Sequence, residues 1–583
     1  MHKLKKDVII LFTVRREDIM NSKKLLLTAL LSFLLGSCKS SLIITSTSSS
    51  SNNDSSENST STSSDSTITS SSESSTSSTD SSTSSSSSST SSQVAESSLP
   101  IVLENKNEEL YYNDSWNQTF AGANNAQVIT NYNVQTKDLR VSSGYLYDPT
   151  TVGDLDILVI PVTFGSSSSL DEEEKELVRK DIAYTFFGQS SETGWESVSS
   201  YYYKSSYGKL NISGVVAPWY EIDKTARQFE KISPEPSIYA LNNAVEWYKN
   251  NFDDISRFDK DNDKVIDAVW LIYDLPYNYS TSDVWWAYTY WDFYNDNVGN
   301  GKDYLAYTYA WASYDFLYEG RYGGIGSLKG DAHTYIHETG HILGLDDYYD
   351  YDSRQSPAGV LDMMDGNIGD HNSYSKMTLG WTNPIYVNGS TSISLRPFEE
   401  YGDFILLKDD WNNSPYDEYL LIEYYTPTGL NKKDSTSAYY GRPKLFTENG
   451  IKIYHIDSRI GKYSYDSYSG YGYFEEYIDT VYETNSYYSQ IAHSNTQSYS
   501  ANRNYRLLHL LDATGSDSLL KSSSAYATNY SLFTDGITFD PTSSVYKNLF
   551  NVASKFNDGT SLNYKIEVVS TSADECELVI TKI

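Results

Sequence analysis

The residues best suited to chemistry lie in one short stretch, residues 337–347, which read HETGHILGLDD. On an α-helix, residues four apart lie one turn apart on the same face. His337 and His341 can therefore direct two imidazoles at one metal ion. Glu338 lies beside them, where it can hold and deprotonate a water on that metal. This combination predicts a zinc hydrolase site.

A third zinc ligand is expected just after the helix. Gly344 can end the helix, because glycine readily adopts the left-handed conformation that turns the chain. The turn can then bring round Asp347, ten residues after His337, and zinc accepts an Asp oxygen. Asp346 is the neighbouring alternative. His333 cannot easily share one ion with His341, since eight residues of helix span about 12 Å, so we expect it to be a helix-face residue or one that supports the ligands.

The segments around this stretch resemble the immune inhibitor A family of secreted bacterial zinc metallopeptidases. The string HETGHILGLDDYYD, residues 337–350, is similar to the active-site segment of that family. Residues 197–210, SVSSYYYKSSYGKL, resemble a segment that precedes the catalytic helix, and residues 376–381, KMTLGW, resemble the usual domain end. The resemblance covers residues 150–385 well and implies peptide-bond hydrolysis. Some members use a distant acidic zinc ligand, which leaves an alternative to Asp347.

The segment DMMDGN, residues 362–367, is similar to the methionine-containing turn of the same family. Methionine is apolar and fills irregular gaps, so Met364, or its neighbour Met363, can form a floor beneath the metal. The alternative is two ordinary core methionines. His371 and Tyr374 follow, and either can donate a hydrogen bond to the oxyanion formed when water attacks a carbonyl, or simply pack the loop.

A second metal site is predicted upstream, in residues 259–267, DKDNDKVID. Asp259, Asp261, Asp263 and Asp267 place oxygens at alternate positions, as calcium requires. The glycine and glutamate of a regular EF-hand loop are replaced by lysine and tryptophan, so this is another kind of loop. Four adjacent carboxylates repel one another without a cation, which favours calcium over the alternative of a solvated acidic turn.

The N-terminus predicts export as a lipoprotein. Translation is expected to start at Met20, and the apolar residues 25–35 are too short to span a bilayer permanently. Residues 35–38, LGSC, resemble a bacterial lipobox with Cys38 as the lipidated residue. The alternative is an ordinary cleaved signal peptide. Residues 39–100 are rich in Ser and Thr and bury almost nothing, so we expect a disordered tether. The protein would then lie on the extracellular face of a bacterial cell membrane, or be shed or secreted.

Regular patterns begin near residue 146. Strands are predicted at residues 155–160, 210–216 and 265–273, and helices at residues 171–187 and 237–250. Their alternation predicts an α/β (mixed α+β) catalytic domain with a mixed sheet over residues 146–385, of zincin-like type if the resemblance holds. Residues 101–145 are expected to be a lead-in or an inhibitory pro-segment. Short apolar runs at 404–407, 419–424 and 451–455 predict a β-rich, sandwich-like C-terminal domain, residues 386–583.

Charge narrows the class of partner. The chain of 583 residues has a net charge of −33, which argues against nucleic-acid binding because that requires a basic face. The sequence therefore predicts a surface-anchored, monomeric zinc endopeptidase whose partners are protein or peptide substrates. The only membrane contact expected is the lipid anchor. The competing hypothesis is a non-catalytic adhesin or binding lipoprotein in which the metal is structural.

Overall fold

The computed structural model describes residues 98–104, 110, 122–132, 149–295, 297–466, 471–478, 487–492, 494–497, 502 and 504–583. The predicted signal peptide, the lipidation of Cys38, almost all of the tether and much of the lead-in lie outside these residues. The described chain from Leu99 to Ile583 belongs to one compact unit. Within it, no helix combines the length and the apolar character needed to cross a bilayer.

The α-helices are α1 (Glu172–Phe187), α2 (Val198–Ser205), α3 (Ala226–Phe229), α4 (Pro236–Asn251), α5 (His333–Ile342), α6 (Ser373–Thr378), α7 (Phe398–Tyr401) and α8 (Lys432–Thr436). The strands are β1 (Ala126–Val128), β2 (Gly153–Thr163), β3 (Leu210–Val216), β4 (Tyr220–Glu221), β5 (Val265–Ile266), β6 (Val269–Tyr273), β7 (Tyr288–Trp291), β8 (Leu305–Ala306), β9 (Thr308–Ser313), β10 (Ile385–Val387), β11 (Thr391–Leu395), β12 (Phe404–Leu407), β13 (Glu418–Tyr425), β14 (Gly450–Asp457), β15 (Ile460–Asp466), β16 (Tyr471–Ile478), β17 (Tyr487–Gln490), β18 (Leu508–Leu510), β19 (Thr538–Phe539), β20 (Tyr564–Thr571) and β21 (Cys576–Lys582). Short 3₁₀ turns occur at Gly165–Ser167, Ile255–Phe258, Asp283–Trp285, Tyr314–Tyr318, Gly429–Asn431, Ser518–Leu520, Asn529–Ser531 and Lys547–Leu549.

The sheet nearest the predicted site has the order β3-β2-β6-β9-β7, with β4 paired to β2. Strands β3, β2, β6 and β9 are parallel, whereas β7 runs antiparallel to β9. The predicted mixed sheet is therefore confirmed, and helix α1 begins where expected because Asp171 caps it in a capping box with Glu174.

The prediction of one strand over residues 265–273 is wrong, because the structure divides it into β5 and β6. The break lies at Asp267, whose N–H donates to the Phe258 carbonyl at 2.8 Å. Its side-chain Oδ2 also accepts from the Lys260 N–H at 2.8 Å. Asp267 thus belongs to the preceding acidic loop, and β5 pairs with β8 in a separate two-stranded sheet.

Beyond residue 385 the chain is mainly β-structure, as predicted. One sheet has the order β1-β10-β12-β13-β14-β18 and another the order β11-β21-β20-β19. A single buried cluster contains side chains from both, such as Leu420 and Ile453 from the first and Ile566 and Leu578 from the second. Strands β15, β16 and β17 form a third sheet. The more specific sandwich architecture stays a prediction.

The described residues at the end of the predicted tether and in the lead-in pack into the folded unit. The Leu99 carbonyl accepts from Arg179 Nη1 at 2.8 Å, and Ile101 forms a bridge with Val216 of β3. Farther along, β1 pairs with β10, and the buried Tyr132 hydroxyl lies 2.9 Å from the Met377 carbonyl. These segments lie in the body of the fold, whereas an inhibitory role for residues 101–145 stays a prediction.

Candidate metal centre and its surroundings

Helix α5 is fixed in the core by one face and presents the predicted site on the other. It packs against β7 and β9, and Tyr335 and Ile336 on its inner face are fully buried. The Tyr202 hydroxyl donates to the Ile336 carbonyl at 2.7 Å, and Trp270 Nε1 donates to Thr339 Oγ1 at 3.2 Å. Buried aromatic side chains with satisfied polar tips therefore hold the helix in place.

The helix ends as the sequence predicts. Its last residue is Ile342, and Gly344 has a φ of +96°, a conformation that residues with a Cβ rarely adopt. The Leu345 N–H donates back to the Gly340 carbonyl at 2.9 Å. This reversal directs the following aspartates back towards the helix.

The structure brings together His337, His341 and Asp347, as predicted. His337 Nε2 lies 3.0 Å and His341 Nε2 lies 3.3 Å from Asp347 Oδ1. One potential ligand atom from each of the three side chains lies within 4.8 Å of the others. Asp347 is buried, whereas the alternative Asp346 is half-buried and outside this group. The three side chains form a compact N, N, O donor set.

Two backbone carbonyls orient the imidazoles. His337 Nδ1 lies 2.8 Å from the Met363 carbonyl, and His341 Nδ1 lies 2.8 Å from the Leu345 carbonyl. A carbonyl oxygen only accepts hydrogen bonds, so each Nδ1 carries the proton. In the neutral rings each Nε2 then has its lone pair free and faces Asp347, which is the orientation that metal-binding histidines adopt.

The charges of the three side chains are mutually dependent. Burial opposes a charged imidazole, but Asp347 outweighs burial and raises the pKa of His341 to about 10, and it raises the pKa of His337 as well. Burial opposes a charged carboxylate, but the imidazoles lower the pKa of Asp347 to about 2. Asp347 is therefore ionised at neutral pH, as a ligand must be. Protons compete with a cation for the imidazoles, so binding of a cation becomes more favourable as the pH rises.

Glu338 lies next to this group and is held from the adjacent strand. Its side chain is almost fully buried. Thr289 of β7 donates from Oγ1 towards both the Glu338 backbone carbonyl, at 2.9 Å, and Glu338 Oε2, at 3.1 Å. The hydroxyl has one proton, so it is shared between the two oxygens or held by one of them. Thr289 thus limits where the carboxylate can point.

The predicted methionine turn lies beneath α5. The Met363 carbonyl is the partner of His337, while Met364 Sδ lies against Gly340, where a Cβ would approach it to 2.5 Å. Asp362 Oδ1 accepts from the Met364 N–H at 2.8 Å, and its Oδ2 accepts from the Asn372 N–H at 2.8 Å. The turn therefore supports the helix directly below the face that carries the candidate metal ligands.

The structure places His371 and Tyr374 in the packed interior of the protein. His371 is 1% exposed and its ring packs against Tyr201, Tyr202 and Trp381. Tyr374 is 4% exposed. Both side chains are enclosed by other residues, and an oxyanion-stabilising role for either stays a prediction.

Several groups that orient the side chains of the candidate metal site are not predicted by the sequence. Thr289 lies 49 residues before Glu338, and no local pattern connects the two. The carbonyls of Met363 and Leu345 carry no residue-specific signal at all. The Tyr351 hydroxyl donates to Asp347 Oδ2. Tyr351 lies only four residues after Asp347, and of the side chains among these groups it alone is close enough in sequence to suggest a contact.

The acidic loop is compact as well. Asp259, Asp261 and Asp263 each offer a carboxylate oxygen within 4.8 Å of the others. The predicted fourth ligand, Asp267, is not in this group. Burial and the three neighbouring carboxylates raise the pKa of Asp267 to about 7, although the Lys260 N–H opposes the rise.

Comparison with known proteins identifies no relative, so any assignment of function depends on the site itself. A scan of the sequence against protein-family models finds no match, and a search among curated proteins finds none either. The resemblance to the immune inhibitor A family therefore depends on the quoted motifs alone.

Proposed function

We propose that this protein is a zinc-dependent endopeptidase. The observation that carries the proposal is the convergence of His337 Nε2, His341 Nε2 and Asp347 Oδ1. A backbone carbonyl orients each imidazole, and Glu338 lies next to the group. The packing of α5 against β9 and against β7, the antiparallel strand that ends the described order of the mixed sheet, supports the more specific zincin-like assignment of the fold.

The donor set fits zinc. Catalytic zinc sites use three protein ligands from His, Asp, Glu or Cys and leave a fourth position for water or substrate. His341 Nε2 and Asp347 Oδ1 are buried and have no hydrogen-bond partner in the described structure, and a cation would satisfy both. Calcium and magnesium prefer sites made entirely of oxygen, so two imidazoles favour zinc over either.

Glu338 is assigned the role of general base. Zinc bound by the three side chains would polarise the substrate carbonyl and lower the pKa of a water. Glu338 accepts a proton from the attacking water and passes it to the leaving nitrogen of the cleaved bond. Thr289 keeps the carboxylate oriented for both transfers. A metal with a purely structural role needs no such base, and this distinguishes the enzyme from the competing adhesin.

The edge of the sheet supports a peptide as the substrate. The Asp292 N–H donates to the Tyr307 carbonyl at 2.8 Å, in the same register that pairs Thr289 with Ala310. Hydrogen-bonded and non-hydrogen-bonded pairs alternate along an antiparallel ladder, so the peptide N–H and C=O of Thr289 point away from β9. Strand β7 ends the described order of its sheet, and an extended peptide can add to such an edge next to Glu338.

The test is cleavage by the purified full chain. Metal is removed by dialysis against a chelator, and zinc, calcium or magnesium is returned separately before an unfolded protein substrate is added. We expect internal cleavage with zinc alone and none with the other two ions. Stoichiometric zinc binding without cleavage of any protein would instead favour the adhesin.

A further inference from the structure

A third histidine lies on the same face of α5. His333 is the first residue of the helix, one turn before His337, and the two ring centroids are 6.5 Å apart. Successive residues of an extended peptide rise about 3.3 Å. The distance from His337 to His333 therefore equals about two residues of extended peptide, which is within reach of a side chain beside a peptide bond held at His337. This inference rests on the proposed function.

The imidazole of His333 has an unsatisfied nitrogen. His333 is 8% exposed, and its Nε2 is buried without a hydrogen-bond partner. The polar groups nearby are already paired, since the Tyr439 hydroxyl donates to Asp331 Oδ2 at 2.7 Å and the His333 N–H donates to Asp331 Oδ1 at 3.0 Å. A buried polar atom without a partner is costly, so Nε2 requires a partner from outside this cluster.

That partner must donate a hydrogen bond. The Asn367 backbone accepts a hydrogen bond from the His333 ring, and Nε2 is the ring nitrogen left without a partner, so the ring proton belongs on Nδ1. Nε2 then carries a lone pair. A second metal is a poor partner, because the described residues place no two further ligating side chains around His333.

We propose that His333, Asp331 and Tyr439 line a pocket for a substrate side chain next to the cleaved bond, and that the pocket selects side chains that donate a hydrogen bond. The Tyr439 ring lies 4.8 Å from the His333 ring and forms one wall. Its neighbours at residues 436–438 and 440–441 are exposed, so this wall lies in a surface loop. The carboxylate of Asp331, which accepts from the Tyr439 hydroxyl, disfavours acidic side chains, and these also lack a donor at neutral pH.

The test uses matched peptides that differ by one hydroxyl. In the first pair, the residue before the cleaved bond is Tyr in one peptide and Phe in the other. In the second pair, the same change is made at the residue after the bond. Cleavage positions are mapped by mass spectrometry, and kcat/KM is measured with zinc-loaded full chain. We expect the Tyr peptide of one pair to be cleaved at least about 10-fold faster than its Phe partner, because a site that pairs with a substrate hydroxyl rejects the analogue without it.

Two variants assign the preference to His333. His333→Gln keeps an acceptor oxygen near the place of Nε2 and should keep the preference, whereas His333→Leu should bring the ratio close to 1. Equal cleavage within both pairs by the wild type would overturn the pocket while leaving the endopeptidase intact, and this holds even if His333→Leu fails to fold. A preference that survives in a folded, zinc-loaded His333→Leu would also overturn it. A zinc-loaded wild type that cuts no peptide would contradict both proposals.

Discussion

At the scale of single residues, the carbonyls of Met363 and Leu345 decide what the histidines can do. Each accepts from an Nδ1 and leaves the opposite nitrogen facing Asp347. The Tyr351 hydroxyl fixes the second oxygen of that carboxylate. The three candidate ligands are thus oriented by the chain around them, which reduces the ordering that binding of an ion would require.

The two adjacent aspartates should differ sharply in their effect on zinc. Asp347→Ala removes one of three ligands, so its zinc affinity should fall by more than the roughly 10–100-fold lost when a residue that only orients a ligand is removed. Asp346→Ala is the matched control and should retain zinc. Zinc content is measured by mass spectrometry after dialysis at several chelator concentrations. Equal retention by both variants would mean that a distant carboxylate completes the site.

At the scale of elements, α5 and the turn after it form one unit. The close approach of Met364 Sδ to Gly340 leaves no room for a side chain on the helix at that point. Glycine is usually unfavourable inside a helix, by about 1 kcal/mol relative to alanine. Its presence here is explained by the packing of the methionine turn.

Gly340→Ala should therefore destabilise the protein despite the better helix propensity of alanine. The added methyl forces Met364 and the Tyr202 hydroxyl to move, and overpacking of this kind costs about 1–3 kcal/mol. In the double variant with Met364→Ala, the methyl enters the space that Met364 vacates, so the loss should be smaller than the sum of the two single losses. Denaturant unfolding measures all three. Strict additivity would mean that the two side chains do not compete for space.

The acidic loop makes a separate prediction about calcium. An ion that binds only the folded state raises the melting temperature by mass action. The combined substitution of Asp261→Ala and Asp263→Ala should abolish the response to calcium, because it removes two of the three clustered carboxylates. Asp267→Asn should preserve it, since that side chain is bonded to the Lys260 N–H. A calcium response that persists in the double variant would place the ion elsewhere.

Many of the helices and strands around the site can be predicted from the sequence. Where the prediction fails, the cause is a contact with residues outside the local pattern. Strand β3 was predicted with its observed bounds, and α4 to within one residue at each end, because their apolar patterns are local. The break at Asp267 was missed because it depends on contacts with Phe258 and Lys260 outside the apolar run. The interior position of His371 was equally invisible, since it depends on aromatic residues about 170 positions earlier in the chain.

At the scale of the whole molecule, the candidate site does not belong to residues 146–385 alone. One buried cluster contains Ile157 and Ile336 from before residue 385 and Tyr419 and Leu508 from after it. Tyr439, a wall of the proposed pocket, also comes from the later part. The predicted domain boundary stays a prediction, but both sides of it contribute to the surroundings of α5.

The C-terminal sheet should make global stability depend on pH. Burial, with His455 and Arg506 nearby, lowers the pKa of His509 from 6.5 to about 3. The folded protein keeps this ring neutral, whereas the unfolded chain takes up a proton below pH 6.5. The contribution of His509 to the free energy of unfolding is therefore fully present above pH 6.5. It is lost as the pH falls towards 3, by roughly 1.4 kcal/mol per pH unit.

The comparison of wild type with His509→Leu isolates that contribution. Urea unfolding at a series of pH values from about 7 to 4 gives the free energy of unfolding of each protein. The wild type should lose more stability than the variant as the pH falls. Parallel curves would show that His509 does not titrate differently in the folded and unfolded states.

The most direct test of the zinc endopeptidase is Glu338→Gln. The change replaces one carboxylate oxygen with an amide of similar size, and Glu338 is not among the three grouped ligands. Glu246→Gln on α4 controls for the purification and for the chemical change. Zinc content and the rate of peptide cleavage are measured on the same samples. We predict that Glu338→Gln retains stoichiometric zinc but cleaves roughly 10²–10⁴-fold more slowly than the wild type, because it lacks the general base. A zinc-loaded Glu338→Gln that cleaves at the wild-type rate would contradict the mechanism.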